Sequence, residues 1–235
     1  MSRFIDRVLR FFFPARCAFC GRVTGMNGVC GDCEQDLPVI AEPTCMRCGS
    51  QVDFCTCITK DYFFDRNISA FYYEDLVKRA VWRLKFENRP QVAASCVPFA
   101  VAALTREISP EGFDVVTCVP MTAKRQRRRG YNQAELFAKQ VARQIGKPYR
   151  RLLEKIRDNA VQSTLDAEER FQNVQGVYRA PGNLRGMSVL LCDDVMTTGA
   201  TLSECAHMLK DAGACRVVCL TIAKTKTKTL QREFE

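Results

Sequence analysis

The sequence predicts an α/β fold, a parallel sheet flanked by helices, with a small cysteine-rich module ahead of it. Three observations carry that reading. Strand-like apolar runs alternate with helix-like segments over residues 66–224. One apolar run, at 188–192, leads straight into paired carboxylates and a Thr-Thr-Gly turn. Eight of the 14 cysteines fall between Cys17 and Cys57, while the rest are scattered.

The elements follow in order. Residues 14–60 are rich in Cys and Gly and show little periodicity. Residues 67–73 (NISAFYY) suit a strand, and 74–86 place Leu76, Val77, Ala80, Val81 and Leu84 at helical spacing. A second helix is expected over 91–108. Residues 113–119 (FDVVTCV) suit a strand buried on both faces. A basic loop follows, then a helix over 133–145, a strand at 188–192, a helix over 202–212 and a strand at 216–222. The expected division is 1–62 for an amino-terminal helix and Cys-rich module, 63–226 for the α/β domain, and 227–235 for a polar tail that frays.

A chain of 235 residues can bury a sizeable core, and 47% hydrophobic with 26% charged residues is a globular profile rather than a disordered one. The stretch FIDRVLRFFF is too short, and too interrupted by Asp6, Arg7 and Arg10, to span a bilayer. It also lacks the layout of a signal peptide, so a cytoplasmic location is expected. Residues 1–13 can instead form an amphipathic helix through Phe4, Ile5, Val8, Leu9, Phe11 and Phe12, docked on the protein's own core, a partner or a membrane surface. The net charge of +9 favours polyanionic partners such as nucleic acid, phosphorylated metabolites or an anionic surface.

Cys17-x2-Cys20 with Cys30-x2-Cys33 makes one quartet, and Cys45-x2-Cys48 with Cys55-x-Cys57 a second, tighter one. Four thiolates about 2.3 Å from a tetrahedral centre select zinc. A redox dithiol normally stands alone near a βαβ unit, which eight clustered cysteines do not match. One or two structural zinc ions are expected, with the pairs combining in order or interleaved. Cys96, Cys118, Cys192, Cys205, Cys215 and Cys219 read as small buried hydrophobes.

In VLLCDDVMTTGAT (189–201) an apolar strand delivers Asp193 and Asp194, and a turn then enters a helix near Thr201. Ligands of parallel sheets bind at this end of the strands. A helix amino terminus attracts phosphate, Gly199 permits close backbone approach, and Thr197, Thr198 and Thr201 add hydroxyls. Two adjacent carboxylates suit ribose hydroxyls or a divalent cation. An N-capped helix with exposed acids is the plainer alternative. The motif resembles the phosphoribosyl pyrophosphate (PRPP) fingerprint of type I phosphoribosyltransferases. Purine salvage members carry an Asp where this chain has Thr197, which speaks against a 6-oxopurine substrate.

Residues 119–142 (VPMTAKRQRRRGYNQAELFAKQVA) set Lys124, Arg125, Arg127, Arg128 and Arg129 after the second strand and close on Gly130-Tyr131-Asn132, with Asn132 capping the next helix. Together with the cysteine pairs, AVWRLKF (80–86), NAVQSTLDAEERFQNVQGVY (159–178) and the acidic loop, this segment resembles the ComF family, also called competence protein F or GntX-like. The resemblance covers nearly the whole chain. It implies a type I phosphoribosyltransferase-like fold with an amino-terminal zinc finger, and a link to natural transformation.

By position, the resemblance implies PRPP contacts from Lys124, Arg125, Asp193, Asp194, Val195, Met196, Thr197, Thr198, Gly199, Ala200 and Thr201, with Mg²⁺ arriving on PRPP. Asp193 and Asp194 take the catalytic role if ribose is transferred. It also implies single-stranded DNA as a partner, met by Lys124, Arg125, Arg127, Arg128, Arg129 and Tyr131, and a DNA-uptake helicase or recombination-mediator protein as a further partner. Residues 162–170 correspond to a lid, with Gln162 and Arg170 as contacts. A phosphoribosyltransferase, a non-catalytic PRPP-sensing or DNA-binding adaptor, and a nucleotide-salvage enzyme are the readings left open. His207 is the sole histidine, which disfavours a triad mechanism built on several. Trp82 with Arg83 and Lys85 suits stacking on single-stranded nucleic acid, but a lone aromatic at helical spacing more often packs its helix onto the sheet.

Overall fold

The computed structural model describes residues 15–24, 28–57, 61–157 and 172–226. The amino-terminal helix, the lid contacts Gln162 and Arg170, and the polar tail lie outside them.

The sheet has four parallel strands: β1 (Arg66–Tyr72), β2 (Val115–Cys118), β5 (Ser188–Met196) and β6 (Arg216–Lys224), in the order β1-β6-β5-β2. Every residue of β2, and all but the first of β1 and β6, is buried, as strands covered on both faces require. On one face α2 (Asp75–Phe86), α3 (Gln91–Glu107) and α5 (Gln133–Gln144) pack over Ile68, Val116, Leu190 and Leu220. On the other, α6 (Ala200–Asp211) packs Leu202, Cys205 and Leu209 against Val189, Leu191 and Cys219. The helices after β2 and β5 thus leave on opposite faces, which opens a crevice between the carboxyl ends of those two strands.

The register enlarges that crevice. Strand β2 stops at Cys118, opposite Cys192, whereas β5 continues through Asp193 to Met196, supported only by β6 through Asp193–Thr221 and Met196–Lys224. The strand is therefore longer than the expected 188–192. Its acidic pair lies within a strand edge and not in a loop.

The basic segment also differs from expectation. Residues expected as a loop form the short helix α4 (Ala123–Arg129). The Thr122 side chain accepts from the Arg125 N–H at 3.4 Å, and Gly130 ends the helix in the left-handed region at φ 82°. None of its residues is buried, so no apolar stripe announces it. A two-stranded hairpin, β3 (Glu154–Lys155) with β4 (Tyr178–Arg179), overhangs the same crevice.

Among its described residues, the cysteine-rich segment contains α1 (Gly31–Asp36) and a 3-10 turn over Val52–Phe54. Cys17, Phe19 and Cys33 join the core beneath α2 and α3, and Cys48 and Cys57 join the core beneath α6. Phe19 meets Phe71 of β1 edge-on at 5.8 Å.

Candidate ribose-phosphate site and paired thiolate centres

A cavity of about 380 Å³ opens at the carboxyl ends of β2 and β5. Asp193, Asp194, Val195, Met196, Thr197, Gly199, Ala200 and Thr201 line one side. Arg125, Arg128 and Arg129 of α4 line the other, with Pro120 and Met121 between. Asn132 fixes that connection: it caps α5 by accepting from the Ala134 N–H at 3.1 Å and donates to the Val119 carbonyl at 3.0 Å. Thr198 is buried, its hydroxyl accepts from the Ala200 N–H at 3.4 Å, and its carbonyl accepts from the Tyr62 phenol at 3.0 Å.

Gly199 could not be larger. Its φ is +86°, and a Cβ there would sit 2.7 Å from Tyr62 Cε1 and 2.8 Å from Met196 Cε. The turn can approach a ligand closely because Tyr62 and Met196 brace it from behind.

Lys124 and Arg127 are exposed and stand outside the cavity lining. The Tyr131 hydroxyl donates to the Leu84 carbonyl at 2.7 Å and ties the α4–α5 turn to α2. Among the cavity residues that sequence reasoning did not single out are Tyr73, Lys155 and Tyr178. Lys155 and Tyr178 sit on two-residue strands, too short for any periodic signal.

Lys85 lines the cavity as well. Its ammonium lies 3.0 Å from the Asp194 carboxylate. Burial alone would favour the neutral amine, but the charge and hydrogen bond of Asp194, with Asp193 behind, raise its pKa above the usual value. Burial, and then the charge of Asp194, push Asp193 up to about 8 against the pull of Lys85 and Lys155. The pair thus holds a proton or a counter-cation at neutral pH, as a site built for diols or metal-bound phosphate would.

The two cysteine quartets form compact centres, each with its four sulfurs within 4.8 Å of one another. Cys20–Cys30 is 3.6 Å, Cys45–Cys57 is 3.6 Å, Cys48–Cys55 is 3.7 Å and Cys55–Cys57 is 3.4 Å. A tetrahedron of zinc–sulfur bonds of about 2.3 Å spaces its sulfurs by about 3.8 Å. The donor sets fit zinc, and the pairs combine in sequence order. Arg83 of α2 holds the first centre, donating to the carbonyls of Phe19 at 2.9 Å and Cys20 at 3.4 Å. Lys224, buried at the end of β6, hydrogen-bonds Ser50 beside the second.

Among the described residues, no helix is long and apolar enough to cross a membrane. His207 stacks on Phe63 at 4.0 Å between Glu204 and Asp211, away from the cavity.

These features define a phosphoribosyltransferase-like α/β protein carrying two four-cysteine zinc-binding centres. Residues 132–235 match the phosphoribosyl transferase domain family, and residues 8–60 match the double zinc ribbon domain family. Over most of its length the chain is similar to competence and DNA utilization proteins. It is 28% identical over 216 residues to "Competence protein F" of Haemophilus influenzae, covering 86% of this chain and 93% of that one. It is 28% identical over 214 residues to "DNA utilization protein YhgH" of Salmonella typhimurium, covering 89% and 90%. It is 27% identical over 198 residues to "Competence protein ComFC" of Bacillus subtilis, covering 84% and 72%. Among solved structures, a glutamine PRPP amidotransferase from B. subtilis aligns with a TM-score of 0.40 at 25% identity, over 59% of this chain and 30% of that one. A purine phosphoribosyltransferase from Pyrococcus horikoshii aligns at 0.35 and 19%, over 55% and 82%.

Proposed function

We propose that this protein binds PRPP with Mg²⁺ in the crevice between β2 and β5 and works on single-stranded DNA in the cytoplasm during natural transformation. The observation that carries the PRPP reading is convergence: an acidic pair, a threonine-glycine turn at a helix start, and three arginines share one cavity. Asp193 and Asp194 accept hydrogen bonds from the ribose hydroxyls. The turn from Thr197 to Thr201 holds the 5′-phosphate through backbone N–H groups and hydroxyls. Arg125, with Arg128 and Arg129, faces the pyrophosphate, which carries the Mg²⁺ and would be the leaving group in any transfer at ribose C1. The printed names of the relatives, competence and DNA utilization, support the DNA side, as does the arginine-rich face of α4.

A non-catalytic, PRPP-sensing reading stands beside the enzymatic one. Thr197 is exposed at the position where purine salvage enzymes carry a base.

Calorimetric titration of PRPP and Mg²⁺ into the wild type and Asp194→Ala tests the site. Binding is expected for the wild type alone, and equal binding by both sinks the assignment. Pyrophosphate release across a panel of bases and oligonucleotides separates an enzyme from a binding module.

A further inference from the structure

Helix α2 presents two aromatic rings to solvent. Trp82 is 52% exposed and Phe86 60% exposed, with ring centroids 5.8 Å apart and planes at 43°. The opposite side of the helix buries Val77, Ala80, Val81 and Leu84, so packing does not account for the rings. Neighbouring large rings left in water mark a surface that waits for a partner.

The charges around the rings say what kind. Lys78 and Arg79, both exposed, stand one turn before Trp82 on the same face. Arg129 of α4 lies over the Phe86 ring at 5.2 Å, a cation–π distance, and lines the ribose-phosphate cavity as well. Glu87, which follows Phe86, is turned to Arg83 at 3.9 Å. Cations and rings succeed one another at helical-turn steps of about 5.4 Å, on the scale of a nucleotide repeat.

We propose that Trp82 and Phe86 form a base-stacking platform for single-stranded DNA, with Lys78 and Arg79 on the strand's phosphates and Arg129 joining the platform to the cavity. A duplex keeps its base faces covered, whereas a single strand offers both bases to stack and phosphates to pair. This assignment rests on the DNA part of the proposed function and is independent of its PRPP part.

Trp82 is the only tryptophan in the chain, so its fluorescence reports on the platform directly. The full-length protein is titrated with single-stranded oligothymidylate at low salt. The expected result is saturable quenching of Trp82, with duplex of the same length far less effective. By anisotropy of a labelled oligonucleotide, Trp82→Leu and Phe86→Leu each weaken binding about tenfold, while Trp82→Phe restores most of it. Because both rings are exposed, melting temperatures should stay at the wild-type value.

Salt-sensitive binding with no quenching and no loss in Trp82→Leu overturns the platform and leaves DNA on the basic helix. Absence of any oligonucleotide binding removes both. A blue shift of Trp82 on anionic phosphatidylglycerol vesicles, without quenching by oligonucleotide, overturns the platform in favour of a membrane-facing surface.

Discussion

The ammonium of Lys85, near the end of α2, sits 3.0 Å from the carboxylate of Asp194 on β5. A helix that contributes nothing else to the acidic pair thereby supplies its counter-charge. Without that charge two adjacent carboxylates would repel both each other and an incoming polyphosphate.

Lys85→Met is expected to lower the affinity for PRPP with Mg²⁺ by about tenfold or more, which is about 1.4 kcal/mol per factor of ten. It should also cost stability, because removing one partner of a largely buried pair leaves the other uncompensated. Calorimetry and thermal melting check both effects. Wild-type affinity in the variant would show that Lys85 only balances charge in the unliganded protein.

Asp193 gives the site a pH dependence. Its pKa rises from 3.8 to about 8 on folding, so the folded state keeps a proton that the unfolded chain has lost. Its contribution to stability therefore declines as pH rises across that window and levels off above it. Ligand binding runs the other way, since ribose hydroxyls donate best to an ionised carboxylate. Affinity for PRPP with Mg²⁺ should strengthen from about pH 6 to about pH 9, and Asp193→Asn should flatten the slope. Calorimetry in buffers of different ionisation enthalpy also counts the proton released.

The second thiolate centre is expected to be felt at the turn over residues 197–201. Tyr62 follows it by five residues, donates to the Thr198 carbonyl at 3.0 Å and stacks on Phe64 at 4.6 Å. Tyr62→Phe should weaken PRPP binding several-fold, as loss of a hydrogen bond of about 1 kcal/mol implies. Elemental analysis of chelator-free protein should find zinc in both centres. Stripping it should raise amide exchange at residues 197–201 before the sheet loosens.

How much of this could be read in the sequence varies with how each signal arises. Strands β2, β5 and β6 were legible because both faces are covered and the runs are continuously apolar. The acidic pair and the cysteine spacings were legible because each is local. The end of β5 was not, since Asp193 breaks the apolar run and its strand character comes from pairing with Thr221 on β6. Helix α4 carried its signals at Thr122 and Gly130, but the lack of any buried residue hid it. Lys85 was visible only as a basic residue beside Trp82. Its inward turn to Asp194, the grip of Arg83 on the first cysteine turn and the outward face of Trp82 depend on how α2 lies on the sheet.

That placement has a practical side. Four nearly consecutive residues of α2 face three destinations: Arg83 the first thiolate centre, Lys85 the acidic pair, and Trp82 with Phe86 the solvent. The helix is a single lever with several loads. A substitution at Ala80, Val81 or Leu84 that rolls it by a fraction of a turn would move all of them together. Such a variant would imitate a contact-residue defect in every binding assay at once, and only simultaneous failure of metal retention and ligand binding would give it away.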